Sequence, residues 1–419
     1  MIEKPHVLTR RKFVERAACA LGMGLAGCQG SSTTRKGPVV SEAKQNPAEL
    51  RRQTETDSPA LEPGAVPPYP FYRAAGTHRE LGRQHGEQAA EKIKAHLENM
   101  AASMKLTREE IRSRALQFQP LWEEHCLHLL EEIDGLAEGA GIAPADALAI
   151  NIRGALQQAT EGGCTAYVVG PKGTADGEVL IGQNSDTLPP VIDFAYVLHL
   201  KPPDKPEVLM WTFGGMIGYH GLNSQGVAHF ANDLGGGPAP RFAMPHYPLK
   251  RLMLECARVD EVLKLFQKIP LCANGNYVLC DGAGRILDVE ATTAGPEQVI
   301  DNGAGFIAHS NHFVCGTYAT PENHAQSVAD SFARLDRMNG LIRNKFGDVT
   351  VDTVKTFLRD RAGHPFGICR HAQTDDPSAG WQTAGITVAS LIAEPARRRL
   401  HVAVGNRVET PFVTYEMDR

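Results

Sequence analysis

Gly163-Cys164-Thr165-Ala166-Tyr167-Val168-Val169 places a glycine before a cysteine at the start of an apolar run typical of a β-strand. Gly163 has no Cβ, so its backbone can reach the strained geometry that attack by the Cys164 thiol on the Gly163–Cys164 peptide bond requires. Cleavage there would leave Cys164 as an N-terminus with a nucleophilic thiol and an α-amine, whose ordinary pKa near ~8 suits a base. The alternative is a small core cysteine beside a turn glycine, because free cysteine packs as a buried hydrophobe.

The following residues predict a hairpin that returns to this cysteine. The strand Thr165–Val169 leads into a turn-forming run over 170–177, and Glu178–Gln183 has the pattern of the returning strand. A turn centred near 174–175 places Asn184–Asp186 opposite Cys164 in an antiparallel pair. Asp186 is therefore a candidate carboxylate beside the nucleophile, although Asn184 and Asp186 could instead simply end the strand.

The rest of the chain predicts helices and strands in blocks. Apolar residues recur at helical spacing in His78–Leu97, Arg108–Phe118, Leu121–Glu138, Pro144–Gln158, Pro248–Val259, Val259–Lys268, Ser331–Phe346 and Val351–Arg359. Strand patterns cover Ala195–Leu200, Val208–Phe213, Gly226–Ala231, Asn276–Cys280, Leu287–Glu290, Phe306–His309, Ile386–Ile392 and Arg399–Val404. Mostly antiparallel strands with helices in separate blocks predict an α+β layered fold.

Several short segments are specific in their combined order and spacing. They are Gly76–Glu87, Gly135–Gly141 with Asn151-Ile152-Arg153, Gly163-Cys164-Thr165, Gly182-Gln183-Asn184-x-Asp186, Gly214–Gly218 leading into Gly221–Val227, Asn232, His309–His312 and Ile368-Cys369-Arg370. Over about residues 76–406 the chain thereby resembles the acyl-coenzyme A:6-aminopenicillanic acid acyltransferase-like family of N-terminal-nucleophile (Ntn) hydrolases. The family usually has an aromatic residue where Ser185 stands, and often another at Thr187, which bears on the shape of the acyl pocket. The resemblance implies a four-layer αββα sandwich.

The resemblance also implies roles for individual residues. Cys164 would be the nucleophile, first in self-cleavage and then in acyl transfer, and Asp186 would hold the Cys164 amine. Asn311, and Asn232 at the end of a strand, would donate to an oxyanion, and the charge of Arg370 would favour the thiolate. From the residues alone, the two asparagines could belong to turns and Arg370 to a surface salt bridge.

The N-terminus carries a second signal. Thr9-Arg10-Arg11-Lys12-Phe13-Val14 is a twin-arginine sequence, and the apolar stretch Ala17–Gly27 is too short to span a bilayer. Leu25-Ala26-Gly27-Cys28 resembles a lipobox, in which the cysteine is acylated. Residues 1–28 are therefore predicted to be a twin-arginine signal with lipidation at Cys28; a plain secretory signal cleaved elsewhere, or a chance apolar helix, is the alternative.

The next segment, 29–68, is rich in serine, threonine, proline and charged residues and is predicted to be a disordered tether. An exported protein with this N-terminus would be a periplasmic or cell-surface lipoprotein, anchored to the membrane by its lipid. The remaining residues are expected to form a helical N-terminal chain (69–163) and a catalytic chain (164–419), which stay associated after self-cleavage.

Composition and cysteine spacing exclude several functions. A net charge of −5 over 419 residues, without a basic aromatic patch, argues against a nucleic-acid binder, and no phosphate-binding loop is present. We expect no cofactor, and we expect no metal because no CxxC pair occurs. Outside the signal, the lipobox and Cys164, six cysteines remain: Cys126, Cys256, Cys272, Cys280, Cys315 and Cys369. Most should be buried thiols, because a twin-arginine substrate folds in a reducing compartment.

Two functional hypotheses follow. The first is an autoproteolytically activated amide hydrolase or acyltransferase that works through a cysteine acyl-enzyme on an amide or thioester. The second is an exported lipoprotein that keeps the same fold as a ligand-binding module without turnover, and Ser185 is its only support.

Overall fold

Two β-sheets pack face to face in the centre of the computed structural model, which describes residues 7–8, 66–157, 162–300 and 303–418. The strands are β1 (Val7–Leu8), β2 (Phe71–Ala75), β3 (Gly163–Val169), β4 (Leu180–Thr187), β5 (Ala195–Lys201), β6 (Val208–Phe213), β7 (His220–Asn223), β8 (Ala228–Asp233), β9 (Gly275–Cys280), β10 (Ile286–Thr292), β11 (Gly295–Ile300), β12 (Phe306–His309), β13 (Ile386–Glu394), β14 (Arg399–Val404) and β15 (Val413–Glu416). One sheet has the order β1-β11-β10-β9-β8-β7-β6-β5-β2 and the other β12-β3-β4-β13-β14-β15. Among the described strands only β2 and β5 pair in parallel, so the predicted antiparallel character is confirmed.

Helices cover the outer faces of both sheets. They are His78–Met104, Arg108–Leu116, Gln119–His125, Leu127–Ala140, Pro144–Ile150, Arg153–Gln157, Val191–Phe194, His246–Met253, Val259–Lys268, Pro321–His324, Ser331–Lys345, Val351–Leu358 and Trp381–Ala384. Ser331–Lys345 and Val351–Leu358 contact the six-stranded sheet, whereas His78–Met104 and Val259–Lys268 contact the nine-stranded one. The expected αββα layering is therefore confirmed.

The β3–β4 hairpin has the predicted register. Cys164 lies opposite Ser185, and Gly163 lies opposite Asp186, so the pairing is centred between Thr174 and Ala175. The strand β4 is buried along most of its length, because β3 and β13 flank it within the sheet and β8 packs on it from the other sheet.

Four glycines bring two helices of the N-terminal half into backbone contact. A Cβ on Gly82 would lie 1.9 Å from the Glu132 carbonyl oxygen, and a Cβ on Gly135 would lie 2.0 Å from the Arg79 carbonyl oxygen. The same relation repeats one turn further, at Gly86 and Gly139. The helices His78–Met104 and Leu127–Ala140 can approach this closely only where neither has a side chain.

One helix carries polar residues to the start of β3. Ser331–Lys345 packs on the six-stranded sheet through a buried apolar cluster that includes Met338 and Ile342. Its first turns lie over the N-terminal end of β3, where Arg334 is fully buried. This packing therefore aims the Arg334 side chain at Cys164.

Two predicted helices are broken. Leu121–Glu138 is interrupted at Cys126, whose φ of −157° ends one helix and begins the next. Pro144–Gln158 is interrupted after Ile150, because Asn151 caps the first helix and a second helix starts at Arg153. The apolar spacing continues across both breaks, so the sequence pattern did not show them.

Of the predicted signal (1–28) and tether (29–68), the structure describes only residues 7–8 and 66–68, and Arg10, Arg11 and Cys28 lie outside the described residues. Within the described part of the chain, no helix is long and apolar enough to cross a membrane. All seven described cysteines are free, and all are buried except the half-buried Cys164, which confirms the prediction of buried thiols for them. In the same ranges, no group of three or more histidine, cysteine or acidic side chains could hold a metal ion.

Candidate active site

Cys164 lines a cavity of about 1060 Å³. The wall near it includes Ser185 and Asp186 from β4. Further walls come from the aromatic side chains Trp211, Phe213, Tyr219 and Tyr247. The cavity therefore combines a thiol with an aromatic lining that suits an apolar acyl group.

Two hydrogen bonds from side chains fix the backbone of Cys164. Its N–H donates to Asn311 Oδ1 over 3.0 Å, and its carbonyl oxygen accepts from Arg334 Nη1 over 2.6 Å. Arg334 also donates to Thr165 Oγ1 (2.9 Å) and to Asn311 Oδ1 (2.8 Å). The first residue of the proposed catalytic chain is therefore held on both sides of its α-carbon.

The two asparagines differ in how they meet the site. Asn311 contacts Cys164 directly, but in the uncut chain its Nδ2 donates to the Asp233 carbonyl oxygen over 3.0 Å. Asn232 is buried, its Oδ1 accepts from Asn276 over 3.1 Å, and its Nδ2 has no partner among the described residues. Asn311 is thus at the nucleophile as the resemblance implies, whereas the fixed contact of Asn232 is to Asn276.

Asp186 lies beside Cys164 in a desolvated environment. Its Oδ1 accepts from the Thr387 hydroxyl over 2.6 Å, and its buried Oδ2 has no partner among the described residues. Burial raises the pKa of Asp186 to about 7, against the lowering effects of Arg334, the Thr387 hydrogen bond and Arg370. One carboxylate oxygen is therefore available to a new donor such as an amine.

Arg370 does not contact Cys164, and the expected role beside the thiol needs correction. Its buried guanidinium pairs with Asp330 and donates to the Gln382 carbonyl oxygen. Asp330 also accepts from Arg334 Nε over 3.0 Å, so Arg370 reaches Cys164 through two intermediates. Because the sequence offers many arginines, only the packing of Ser331–Lys345 identifies Arg334 as the direct contact.

Glycine is required on the N-terminal side of Cys164 because of space. A Cβ on Gly163 would lie 3.2 Å from two ring atoms of Trp381, and a Cβ on Gly162 would lie 2.5 Å from the Asp186 carbonyl oxygen. Among the described residues, Gly163 is not one of those with positive φ. In the uncut structure the close approach of the Trp381 indole distinguishes Gly163, and the strained geometry that the attack would require stays a prediction.

Nearby charges shift the pKa of the Cys164 thiol in opposite directions. Burial raises the pKa of Cys164, and the carboxylates of Asp186 and Asp233 raise it further, against the cations Lys250 and Arg334. Burial lowers the pKa of Lys250 itself to about 8. The thiol is consequently protonated at neutral pH, and its activation needs a base.

Comparison with known proteins identifies the family. The model of the acyl-coenzyme A:6-aminopenicillanic acid acyl-transferase family matches residues 173–409, more than half of the chain. The chain belongs to this family. The matched region begins after Cys164 and includes Asp186, Asn311 and Arg370.

Three similar proteins each match more than half of the length of this member of the acyltransferase family. It is 24% identical over 350 residues to the acyl-coenzyme A:6-aminopenicillanic-acid-acyltransferase 40 kDa form of Emericella nidulans, which covers 82% of this chain and 94% of the relative. A solved variant of conjugated bile acid hydrolase from Clostridium perfringens is 12% identical with a TM-score of 0.45, covering 61% of this chain and 97% of that one. Penicillin V acylase from Agrobacterium tumefaciens is 12% identical with a TM-score of 0.34, covering 62% and 80%.

Three site residues of the acyltransferase chain have no signal in the sequence. Arg334 and Trp381 stand in segments that also contain exposed polar residues, and Lys250 stands beside a second buried cation, Arg251, so nothing local marks these side chains as facing the site. The chemistry of the assembled site is nevertheless coherent. A thiol, an amide side chain on its backbone nitrogen and a carboxylate with one open oxygen are the groups that acyl transfer to cysteine uses.

Proposed function

We propose that the chain is a cysteine amide hydrolase or acyltransferase that activates itself by cutting the Gly163–Cys164 bond. The observation that carries this proposal is the hydrogen bond from the Cys164 N–H to Asn311 Oδ1 (3.0 Å) at the wall of the cavity. Cleavage converts that N–H into an α-amine. Asn311 and the open Oδ2 of Asp186 then hold the amine beside the thiol, where it acts as the base.

In the mature enzyme the Cys164 thiol attacks the carbonyl carbon of an amide or thioester. The α-amine takes the thiol proton, and a carbon–sulfur bond forms while the carbonyl oxygen becomes an oxyanion. Asn311, released from Asp233 by rotation of its amide, donates Nδ2–H to that oxyanion, and Asn232 is the second donor. Collapse expels the amine or thiol, which takes the proton from the α-amine and leaves a cysteine thioester.

The thioester then passes its acyl group to an acceptor. We propose water as that acceptor, because the predicted exported location separates the enzyme from coenzyme A thioesters. Membership of the acyltransferase family supports acyl transfer, and the aromatic cavity wall supports an apolar acyl group.

The two products of self-cleavage should remain together. The strand β2, which belongs to the N-terminal chain, pairs with β5 of the catalytic chain. The Tyr69 hydroxyl donates to the Val388 carbonyl oxygen over 2.7 Å, and the Tyr415 hydroxyl donates to the Tyr69 carbonyl oxygen over 2.6 Å. These buried contacts join the two chains that the cleavage would produce. The chains can therefore separate only when the protein unfolds.

Intact mass and N-terminal sequencing of the purified wild-type protein test the cleavage. We expect two chains that separate only under denaturing conditions, the second starting at Cys164. Cys164→Ala should give one uncut, inactive chain, whereas Cys164→Ser should cut slowly, because a hydroxyl attacks in the same way. A single uncut chain in an active preparation would show that the enzyme does not use an N-terminal nucleophile.

We also propose export by the twin-arginine route and lipidation at Cys28, on the sequence of residues 1–28. Labelled palmitate should be incorporated by the wild-type protein, and the Cys28→Ser variant should incorporate none. A twin-lysine change at Arg10 and Arg11 should leave the protein in the cytoplasm. Label that persists in Cys28→Ser would refute the lipidation site.

A further inference from the structure

We propose that Lys250 is the base that removes the proton from the Cys164 thiol when the uncut chain cleaves itself. This inference rests on the proposed self-cleavage and concerns its first step, at which the α-amine does not yet exist. After cleavage, the new α-amine of Cys164 replaces Lys250 as the base.

The uncut chain needs a base other than Cys164 itself. The Cys164 nitrogen is an amide, whose lone pair is delocalised into the Gly163 carbonyl group, so it cannot accept a proton; its hydrogen is donated to Asn311. The thiol is desolvated, and the neighbouring carboxylates of Asp186 and Asp233 disfavour its ionisation. Arg334, the other cation that acts on the thiol, cannot serve as a base, because a guanidinium does not lose its proton in proteins.

Lys250 is placed in the wall of the same cavity as the thiol. It belongs to the helix His246–Met253, the residue is only 7% exposed, and no ion pair of the described residues includes it. Its Nζ lies 4.6 Å from the ring centre of Tyr219 and 5.5 Å from that of Tyr247. Tyr219 in turn interacts electrostatically with Cys164, so the ammonium and the thiol have a common neighbour.

The protonation state of Lys250 suits a base. Burial lowers its pKa to about 8, against the opposing charges of Asp233 and Cys164. At pH 7 about one Lys250 amine in ten is therefore neutral, roughly 300 times the fraction for an ordinary lysine. The charged form of Lys250 also disfavours protonation of His220, His229 and His246, whose pKa values burial already lowers. These histidines are neutral throughout the pH range of the experiment below.

Lys250 is better suited than the other basic groups of the cavity wall, which are the carboxylates of Asp186 and Asp233 and the imidazoles of His220 and His246, whose pKa values burial lowers. Proton transfer to Lys250 creates an ammonium that attracts the new thiolate, whereas transfer to Asp186 creates no cation. The thiolate forms a carbon–sulfur bond with the Gly163 carbonyl carbon. Collapse breaks the Gly163–Cys164 carbon–nitrogen bond, and the departing nitrogen takes the proton back from Lys250. Water then hydrolyses the thioester, which gives the Gly163 carboxylate and the free thiol.

Cleavage of the freshly translated full chain, followed by gel electrophoresis between pH 6 and pH 9, tests this assignment. The wild-type rate should rise with pH and level off near pH 8. Lys250→Met and Lys250→Arg should both cut at least about 100 times more slowly, the usual contribution of a general base. The arginine variant keeps the charge and separates proton transfer from electrostatic stabilisation.

Chemical rescue distinguishes a base from a merely structural lysine. Ethylamine should restore cleavage of Lys250→Ala in proportion to the free-amine concentration, and tetramethylammonium should not. Lys92→Met is the matched control, because burial also lowers the pKa of Lys92 but it lies outside the cavity wall; it should cut at the wild-type rate. Asp186→Asn should gain nothing from ethylamine.

Each outcome of these experiments supports or overturns the proposed role of Lys250. Cleavage of Lys250→Met at the wild-type rate, or equal cleavage by Lys250→Arg and wild type, overturns the role of Lys250 and leaves the self-cleavage intact. If Lys250→Met fails to fold, as judged by near-ultraviolet circular dichroism, a folded Lys250→Ala that ethylamine does not rescue overturns it instead. A wild-type chain that never cuts overturns the self-cleavage and this role together.

Discussion

Replacing Gly163 by alanine tests whether the close approach of Trp381 is what requires glycine before the nucleophile. The new Cβ would lie 3.2 Å from Cη2 and Cζ3 of the indole and 3.6 Å from Arg334 Nη2. The indole cannot easily retreat. The Arg370 guanidinium lies 5.1 Å from its ring centre, and Gly385 approaches the Trp381 carbonyl oxygen so closely that a Cβ there would be 2.1 Å away.

The cost of this overpacking should be about 1–3 kcal/mol of unfolding free energy. Measured by urea denaturation, it is cleanest in a Cys164→Ala background, where every chain is uncut. Trp381→Ala in the same background removes the obstacle, so Gly163→Ala should then cost less than about 0.5 kcal/mol. The coupling between the two substitutions in a double-mutant cycle should therefore be at least 1 kcal/mol.

Gly340→Ala is the matched control. Gly340 lies in the helix Ser331–Lys345 with open space around its missing Cβ, so alanine should stabilise the protein by about 0.5–1 kcal/mol. With Cys164 present, Gly163→Ala should slow self-cleavage and added Trp381→Ala should restore part of the rate. If the unfolding free-energy changes of Gly163→Ala and Trp381→Ala are additive, the steric explanation is refuted. Backbone strain would then be the reason that glycine is needed at position 163.

Three further results are expected. Gly135→Ala should cost about 3 kcal/mol in urea denaturation, because its Cβ would lie 2.0 Å from the Arg79 carbonyl oxygen on a rigid helix; unchanged stability would contradict the helix contact. Asn311→Ala should keep its circular dichroism and lose roughly 10²–10³ in turnover, and an undiminished rate would remove Asn311 from the oxyanion site. Because the pKa of Asp186 is raised to about 7 in the folded chain, the folded state binds its proton more tightly and stability falls as pH rises from about 4 to 7. In the Cys164→Ala background, Asp186→Asn should abolish that fall, which is at most roughly 4 kcal/mol, and an identical pH profile in parent and variant would show that Asp186 is not buried as an acid.

Local sequence patterns predicted the hairpin that builds the site. The apolar run of β3 and the turn residues around 174–175 predicted the register of Cys164 against Ser185, because both signals act over a few residues. The breaks at Cys126 and Asn151 were missed, since apolar spacing continues through them. The strands β1, β2, β7, β11 and β15 were missed as well, because short strands form through their partners in the sheet rather than through local preference.

Several segments of the family resemblance support the backbone rather than the chemistry. Asn151 donates from Nδ2 to the Gly215 carbonyl oxygen and accepts at Oδ1 from the Ile217 N–H, so it holds the glycine turn after β6. Asn223 accepts from the N–H groups of Gln225 and Val227 and so shapes the turn before β8. The sequence alone could not separate such asparagines from Asn311, because the side chain is identical and only its surroundings differ.

The candidate site could be predicted where a residue is tied to the hairpin or to the resemblance. Cys164 and Asp186 line the cavity, and Asn311 accepts a hydrogen bond from the Cys164 N–H. Arg334 and Lys250 could not be predicted, because the choice of the inward-facing cation on a helix depends on which sheet covers it. The same packing explains why Arg370 pairs with Asp330 and does not contact the thiol.

The position of β2 at the edge of the nine-stranded sheet, parallel to β5, has a consequence for reversibility. While the chain is continuous, this strand finds its place by an intramolecular search at a fixed local concentration. The cleavage proposed above would turn the same pairing into a bimolecular association, and recovery from denaturation would then depend on the protein concentration. The mature protein would then be assembled only once, and its lifetime would be set by the rate of unfolding rather than by a folding equilibrium.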